Sequence, residues 1–232
     1  MPMNSLLLVS KSVCFFSKAL CLWLVLAAVH GRAAEPTQER IDQVVQRLGE
    51  IVFIRGDFVQ EKTLKGLPYA LRAQGTFIFW QNQGLYQATE KPFFNAFTIT
   101  RDALINWQAD GTGSLSREQP AIMQREVNKT LLAFFSADIA LIQQRFNTEW
   151  QFTDNQWHLT LTPRLELIAK NMRSVELAGD HLLQSIRVLA ANGDETRIQF
   201  SNQQPATEPT AGDCRWFFLP PDTRCTELAN QP

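Results

Sequence analysis

The chain has 232 residues and a nearly balanced charge, 22 lysines and arginines against 23 aspartates and glutamates. That balance argues against a nucleic-acid partner, since a surface that tracks a phosphate backbone needs a clear positive excess. The length suits one sizeable domain with a full core, and the 16 Phe against 2 Tyr favour an oily interior or pocket over a polar recognition surface, because Phe buries area without a polar handle.

Residues 1–33 read as a cleaved signal peptide. Lys11 and Lys18 precede an apolar run from Ala19 to Val29, and small residues follow at Gly31-Arg32-Ala33-Ala34. The run falls short of the ~20 residues that a bilayer-spanning helix needs, so the expected product is soluble and periplasmic. An uncleaved anchor is the alternative, since Leu6–Val9 and Val13–Phe16 lengthen the greasy region. Loss of Lys11, Lys18 and Arg32 with the leader leaves 19 bases against 23 acids, a net charge of −4. Cys14 and Cys21 lie in or before the apolar run, away from where a lipid-acceptor cysteine would stand. Cys214 and Cys225 then remain as one pair in an oxidising compartment, and a disulfide stapling the C-terminal segment CRWFFLPPDTRC is expected.

Residues 34–232 read as a single domain. Glu35 and Pro36 can open a helix in which Ile41, Val44, Val45 and Leu48 recur at helical spacing, with Gly49 as its stop. The chain then turns extended from Ile51 to Lys62, breaks at Gly66-Leu67-Pro68 and enters a strand from Ala73 to Gln81. In that strand Phe77 and Phe79 fall on one face and Ile78 and Trp80 on the other, whereas a sheet with one wet face should alternate apolar with polar. Either a lipid cavity or a strand between two packed layers would account for this surplus. The meander continues through Leu85–Thr89, Phe94–Thr100 and a hairpin over Asp102–Gly113. Pro120–Phe146 switches to helical period, with Ser136 and Asp138 at a break between two helices. These helices read as a cover on one sheet face, fixed or moving. Beyond them Trp150 and Phe152, then Trp157, Leu159 and Leu161, alternate as a hairpin. Arg164–Met172 is ambiguous by pattern, a short helix being one reading, and Val175/Leu177, Ile186/Val188 and Ile198/Phe200 mark three further half-buried strands, with Asn192-Gly193 as the strongest turn signal. Gln203–Gly212 reads as a polar loop before the stapled tail.

Catalytic chemistry has little support. His30 lies in the leader, His158 falls on the wet face of a strand and His181 at a turn; Asp154 and Glu166 read as solvated charges. There is no GxSxG, HExxH, phosphate-cradling glycine loop or paired Cys/His metal spacing. An enzyme, a metal site and a cofactor are therefore not expected. Asn128-Lys129-Thr130 matches a glycosylation sequon by chance.

The order of elements, together with Phe58-Val-Gln60-Glu-Lys62, Gly75-Thr-Phe77-Ile-Phe79-Trp, Gly84-Leu85-Tyr-Gln-Ala-Thr with Lys91-Pro92, and Phe97-Thr-Ile99-Thr leading to Trp107, resembles the LolA-type outer-membrane lipoprotein carriers over about Ile41–Phe200. The resemblance implies an α+β fold, an unclosed antiparallel β half-barrel with an N-terminal helix and an inserted helical cover. It also implies a function, the carriage of acyl chains between membranes without bond breaking. The expected lipid-binding residues are Phe58, Phe77, Phe79, Leu85, Phe97, Ile99, Trp150, Phe152, Leu159 and Leu161 on the sheet, beneath Leu131, Leu132, Phe135, Ile139 and Ile142 of the cover. Expected partners are an acylated lipid or lipoprotein cargo, an inner-membrane donor and an outer-membrane acceptor, the carrier itself being a monomer. Family carriers place an arginine just beyond the strand matching Gly75–Trp80, where it ties sheet to cover; this chain has Gln81, which lacks the forked, charged contacts of guanidinium. A lipid sensor acting on a membrane partner is the alternative on the same architecture, and a hydrolase the weakest one.

Overall fold

A computed structural model describes residues 38–101, 103–116, 129, 132–220, 223 and 225. All of them lie in one compact unit, Pro36–Pro232. The expected leader, Leu131 and most of the first cover helix fall outside the described residues.

Helix α1 (Gln38–Gly49) buries Val44 and Leu48. Its polarity suits the helix dipole, with Glu39 in the first turn and Arg47 in the last. Six strands follow as a meander: β1 (Phe53–Thr63), β2 (Leu71–Trp80), β3 (Gly84–Lys91), β4 (Asn95–Ile99), β5 (Leu104–Trp107) and β6 (Gly113–Leu115). A helical turn at 132–135 and α2 (Ile139–Arg145) interrupt the strands, with a turn at Ser136–Ala137 between them. Asp138 caps α2, its carboxylate accepting from the Leu141 amide at 3.0 Å. The chain then runs through β7 (Phe146–Thr153), β8 (Gln156–Pro163), the short α3 (Glu166–Ala169), β9 (Met172–Gly179), β10 (Leu183–Ala190) and β11 (Glu195–Ala206), and ends in α4 (Ala211–Cys214) and a 3-10 turn at Arg215–Phe217.

The strands form one eleven-stranded sheet in the order β6-β5-β4-β3-β2-β1-β11-β10-β9-β8-β7, every neighbouring pair antiparallel. β6 and β7 are its free edges, so the half-barrel is not closed. The join between the two meanders is β1 against β11, bulged between Arg55 and Asp57, and a bulge bends its strand and increases the local twist. Gln203–Ala206, which reads as a loop, is strand: Ala206, Pro205 and Gln204 stand opposite Phe53, Ile54 and Arg55. Polar composition concealed it, because the pairing partner lies about 150 residues away in sequence.

Strand β2 is packed on both faces. Phe77 and Phe79 join a cluster with Ile54, Phe58 and Leu85 on the concave side. Ile78 belongs to a second cluster with Phe53, Tyr86, Ala88, Ala96, Ile105 and Trp107, against which Trp80 packs. This convex cluster is roofed by the C-terminal tail: Phe217 is buried in it and Trp216, Phe218 and Leu219 pack onto it. The second apolar face of β2 therefore belongs to a packed layer rather than to a cavity, the outcome that its periodicity left open. Tyr86 stacks on Trp216 with ring centroids 4.9 Å apart, and Trp80 meets Phe217 edge-on at 5.4 Å. Burial raises the Tyr86 hydroxyl above its ordinary pKa. Thr98, fully buried, links the layers: the Trp107 indole N–H donates to its hydroxyl at 2.8 Å, and the hydroxyl donates to the Trp216 carbonyl at 2.5 Å. A disulfide between Cys214 and Cys225 holds the tail.

Candidate functional site

Side chains alternate across a strand, and the register therefore fixes which residues share the concave face. On the β1–β5 half these are Ile54 and Phe58, Phe77 and Phe79, Leu85, and Phe97 and Ile99 opposite Gln87 and Leu85. On the β7–β11 half they are Trp150 and Phe152, Trp157, Leu159 and Leu161, Val175 and Leu177, Ile186, and Ile198 and Phe200. This half is the larger buried cluster, covered by Val44 and Leu48 of α1 and by Phe134 and Ile142.

Where the two halves meet, Phe135 of the cover rests on the sheet. Its ring lies 5.3 Å from Phe79 and nearly parallel to it, 6.0 Å from Phe77, and 5.6 Å from Phe200 in an edge-on contact. Phe77 and Phe200 are themselves 4.9 Å apart. Leu132 packs on the same cluster, and Phe135 is shared with the larger one. Phe77 and Phe79 are 2% exposed, whereas Phe135 and Phe200 are only half-buried. The centre of the concave face is therefore shut by a side chain that the cover itself contributes.

Beside that contact a pocket of about 160 Å³ opens between the β2–β3 turn and the cover, its apolar wall made by Phe79, Leu132, Ala133 and Leu141 and its rim bearing the exposed Arg101 and Lys129. At the far side Phe152 stacks on Trp150 at 6.0 Å, with the Arg40 guanidinium 4.4 Å above the Phe152 ring. Arg40 also donates to the Asp154 carbonyl at 3.1 Å, so α1 closes over the β7–β8 hairpin.

The structure thus brings Phe58, Phe77, Phe79 and Leu85 together with Leu132 and Phe135, and Trp150, Phe152, Leu159 and Leu161 with Ile139 and Ile142. Phe97 and Ile99 extend the same face toward the β6 edge. Residues on the same face and not expected in the lining are Ile54, Ile198 and Phe200 at the central cluster, and Trp157, Val175, Leu177 and Ile186 in the larger one. The period-two pattern of Ile198 and Phe200 marks a strand, but only the long-range β1–β11 register shows that Phe200 stands opposite Phe58. Gln81 also ties sheet to helix without a charge: its amide donates to the Gly49 carbonyl at the end of α1, 3.0 Å away.

The convex face differs between halves. Under the tail it is apolar; over β8–β11 it forms an open groove of about 610 Å³ lined by Gln151, His158, Thr160, Glu176, Arg187 and Arg197. There Arg187 donates to Glu176 at 3.0 Å and to Glu195 at 2.7 Å, and Arg197 donates to Glu195 as well. The hydrogen bond from Arg187 holds the Glu195 carboxyl below the usual range and raises the guanidinium in turn. His158 and His181 are exposed. No group of three or more His, Cys, Asp or Glu side chains among the described residues is placed to hold a metal. No helix among them is long and apolar enough to cross a membrane.

The model of a family described as outer membrane lipoprotein carrier protein LolA-like matches residues 33–211. Among solved structures, a LolA superfamily protein from Nitrosomonas europaea is similar at 10% identity, over 72% of this chain and 94% of that one, with a TM-score of 0.38. A DUF1329 family protein from Desulfovibrio piger is similar at 12% identity, over 81% and 100%, with a TM-score of 0.43. MucB in the MucA/MucB complex of Pseudomonas aeruginosa is similar at 14% identity, over 72% of this chain but 58% of that one, with a TM-score of 0.43. No curated protein matches the sequence significantly.

Proposed function

The chain belongs to the outer membrane lipoprotein carrier protein LolA-like family, and from that premise we propose that it is a periplasmic carrier which takes the acyl chains of a lipoprotein or another lipid between its concave sheet face and its helical cover. Moving an acyl chain from membrane to water costs about 0.8 kcal/mol per methylene. A carrier must replace those apolar contacts without making release impossible, and no bond needs to break. The observation that carries this reading is the Phe135 contact. A half-buried ring from the cover lies on Phe77, Phe79 and Phe200, so lifting one side chain would expose an aromatic floor to a guest. The proposed lining is Phe58, Phe77, Phe79, Leu85, Phe97, Ile99, Trp150, Phe152, Leu159 and Leu161, with Leu131, Leu132, Phe135, Ile139 and Ile142 above it.

Native mass spectrometry of gently purified protein is expected to show a lipid adduct, and a fluorescent fatty-acid probe is expected to bind and be displaced by unlabelled fatty acid. No adduct together with no probe binding would overturn the proposal. Transfer of labelled lipid between two vesicle populations then identifies a carrier. Binding without transfer would instead mark a lipid-dependent sensor of a membrane partner.

A further inference from the structure

Antiparallel alternation places the β1–β2, β3–β4, β5–β6 and β10–β11 turns and the β8–β9 connection at one end of the sheet. Nine large hydrophobic side chains are exposed among the described residues, and seven of them sit at that end. Leu67, Tyr69 and Leu71 stand in and beside the β1–β2 turn; Phe93 and Phe94 form the β3–β4 turn; Leu165 and Leu167 flank the start of α3. Phe93 is 83% exposed and Tyr69 62%. Singly scattered apolar side chains need no explanation, but a concentration on the loop tips of one end does.

We propose that this end is a membrane-docking rim that inserts its aromatic loop tips among lipid headgroups. Three features favour a bilayer over a protein. The side chains sit on separate loop tips from both halves of the sheet rather than around one groove, whereas a standard protein interface needs a continuous ~800 Å² per partner. Aromatic rings are interleaved with long basic side chains: Lys91 precedes Pro92 and Phe93, and Lys65 precedes Gly66, Leu67 and Tyr69. Such stems can lie along the acyl boundary with their charge in the headgroups. The acids at this end include several that already have basic or amide partners, Glu61 with Arg72 at 3.9 Å, Glu166 with Lys170 at 3.3 Å, and Asp194, which accepts from the Lys65 amide at 2.8 Å; Glu90 is the exposed acid beside Lys91.

The concave face also leads here. Along β2, alternation carries the face of Phe79 and Phe77 through Gly75 and Ala73 to Leu71, 45% exposed at the rim. The proposal rests on the carrier reading for its purpose, since a rim at one end of an acyl-binding face would bring that end of the face to the membrane.

The test is flotation of residues 34–232, which retain the whole compact unit, with vesicles of phosphatidylethanolamine and phosphatidylglycerol at roughly 3:1. The protein is expected to float, and Phe93→Ser with Phe94→Ser is expected to lower the bound fraction about tenfold. Fatty-acid probe affinity serves as the folding control and should stay unchanged. Phe93→Cys carrying an environment-sensitive dye should shift to the blue on adding the same vesicles. The proposal is overturned if the unmodified protein stays in the soluble fraction, if the double variant floats equally well, or if binding requires a protein in the vesicles. Vesicle binding without fatty-acid binding would uphold the rim and remove the carrier.

Discussion

Gln81 closes the junction between α1 and the sheet with one uncharged hydrogen bond to the Gly49 carbonyl, a group at a helix end that otherwise needs a partner. Gln81→Ala is expected to cost about 1 kcal/mol, read as a fall of about 2–4 °C in Tm for a domain of this size. Replacement by arginine would test whether a guanidinium fits the same junction. The Arg187–Glu195 contact adds a pH dependence with a definite sign. The folded Glu195 carboxyl lies below its ordinary 4.5 because Arg187 donates to it. The stability it contributes is therefore complete above about pH 4.5 and is lost as pH falls through the depressed folded value. Urea melts from pH 7 to 3 should show Glu195→Gln less stable at neutral pH and less sensitive to acid. Legibility at this scale depended on distance: the alternating Phe77 and Phe79 announced themselves, whereas the roles of Thr98 and Gln81 depend on partners 118 and 32 residues away.

The elements divide in the same way. α1, both hairpin series and the break before α2 have local causes, in apolar period, turn residues and the Asp138 cap, and all were readable along the chain. The tail was readable only as a stapled segment. Nothing in Trp216–Leu219 indicates that it roofs Ile78, Tyr86 and Trp107, because that packing has no local period. Likewise alternation identified the strands of the concave face but not its outer members, and Phe200 became a neighbour of Phe77 only through the β1–β11 register. The roof makes a prediction of its own. Closing a loop between residues 214 and 225 is worth on the order of 3 kcal/mol in chain entropy, and the tail shields aromatic area that would otherwise meet water. Cys214→Ser with Cys225→Ser is therefore expected to lower stability by about 2–4 kcal/mol. It should also shift tryptophan emission to the red as Trp80, Trp107 and Trp216 become wetted, while the concave face keeps its affinity for a fatty-acid probe.

In the molecule as a whole, one sheet supports two covers of different character. The tail side is covalently stapled and stitched through Thr98 to two tryptophans, while the cover on the concave side meets the centre of the sheet through Phe135 and Leu132, both half-buried. If cargo enters on the concave side, the step that limits entry is the lifting of Phe135 from Phe77, Phe79 and Phe200, since water-filled space at that contact is absent between rings 5–6 Å apart. Phe135→Ala should then move two quantities in opposite directions. Stability should fall by about 2 kcal/mol, less than the 3–5 kcal/mol of a fully buried Phe→Ala change because the ring is only half-buried. The association rate of a fatty-acid probe should rise about tenfold, as stopped-flow fluorescence would show, because removing ~1.4 kcal/mol of contact from the closed state lowers the opening barrier by that amount. A core position on β9 away from the Phe135 contact, such as Val175→Ala in the other half of the sheet, should lower stability and leave the association rate alone. Equal rates for Phe135→Ala and the unmodified chain would mean that the cover does not gate the face.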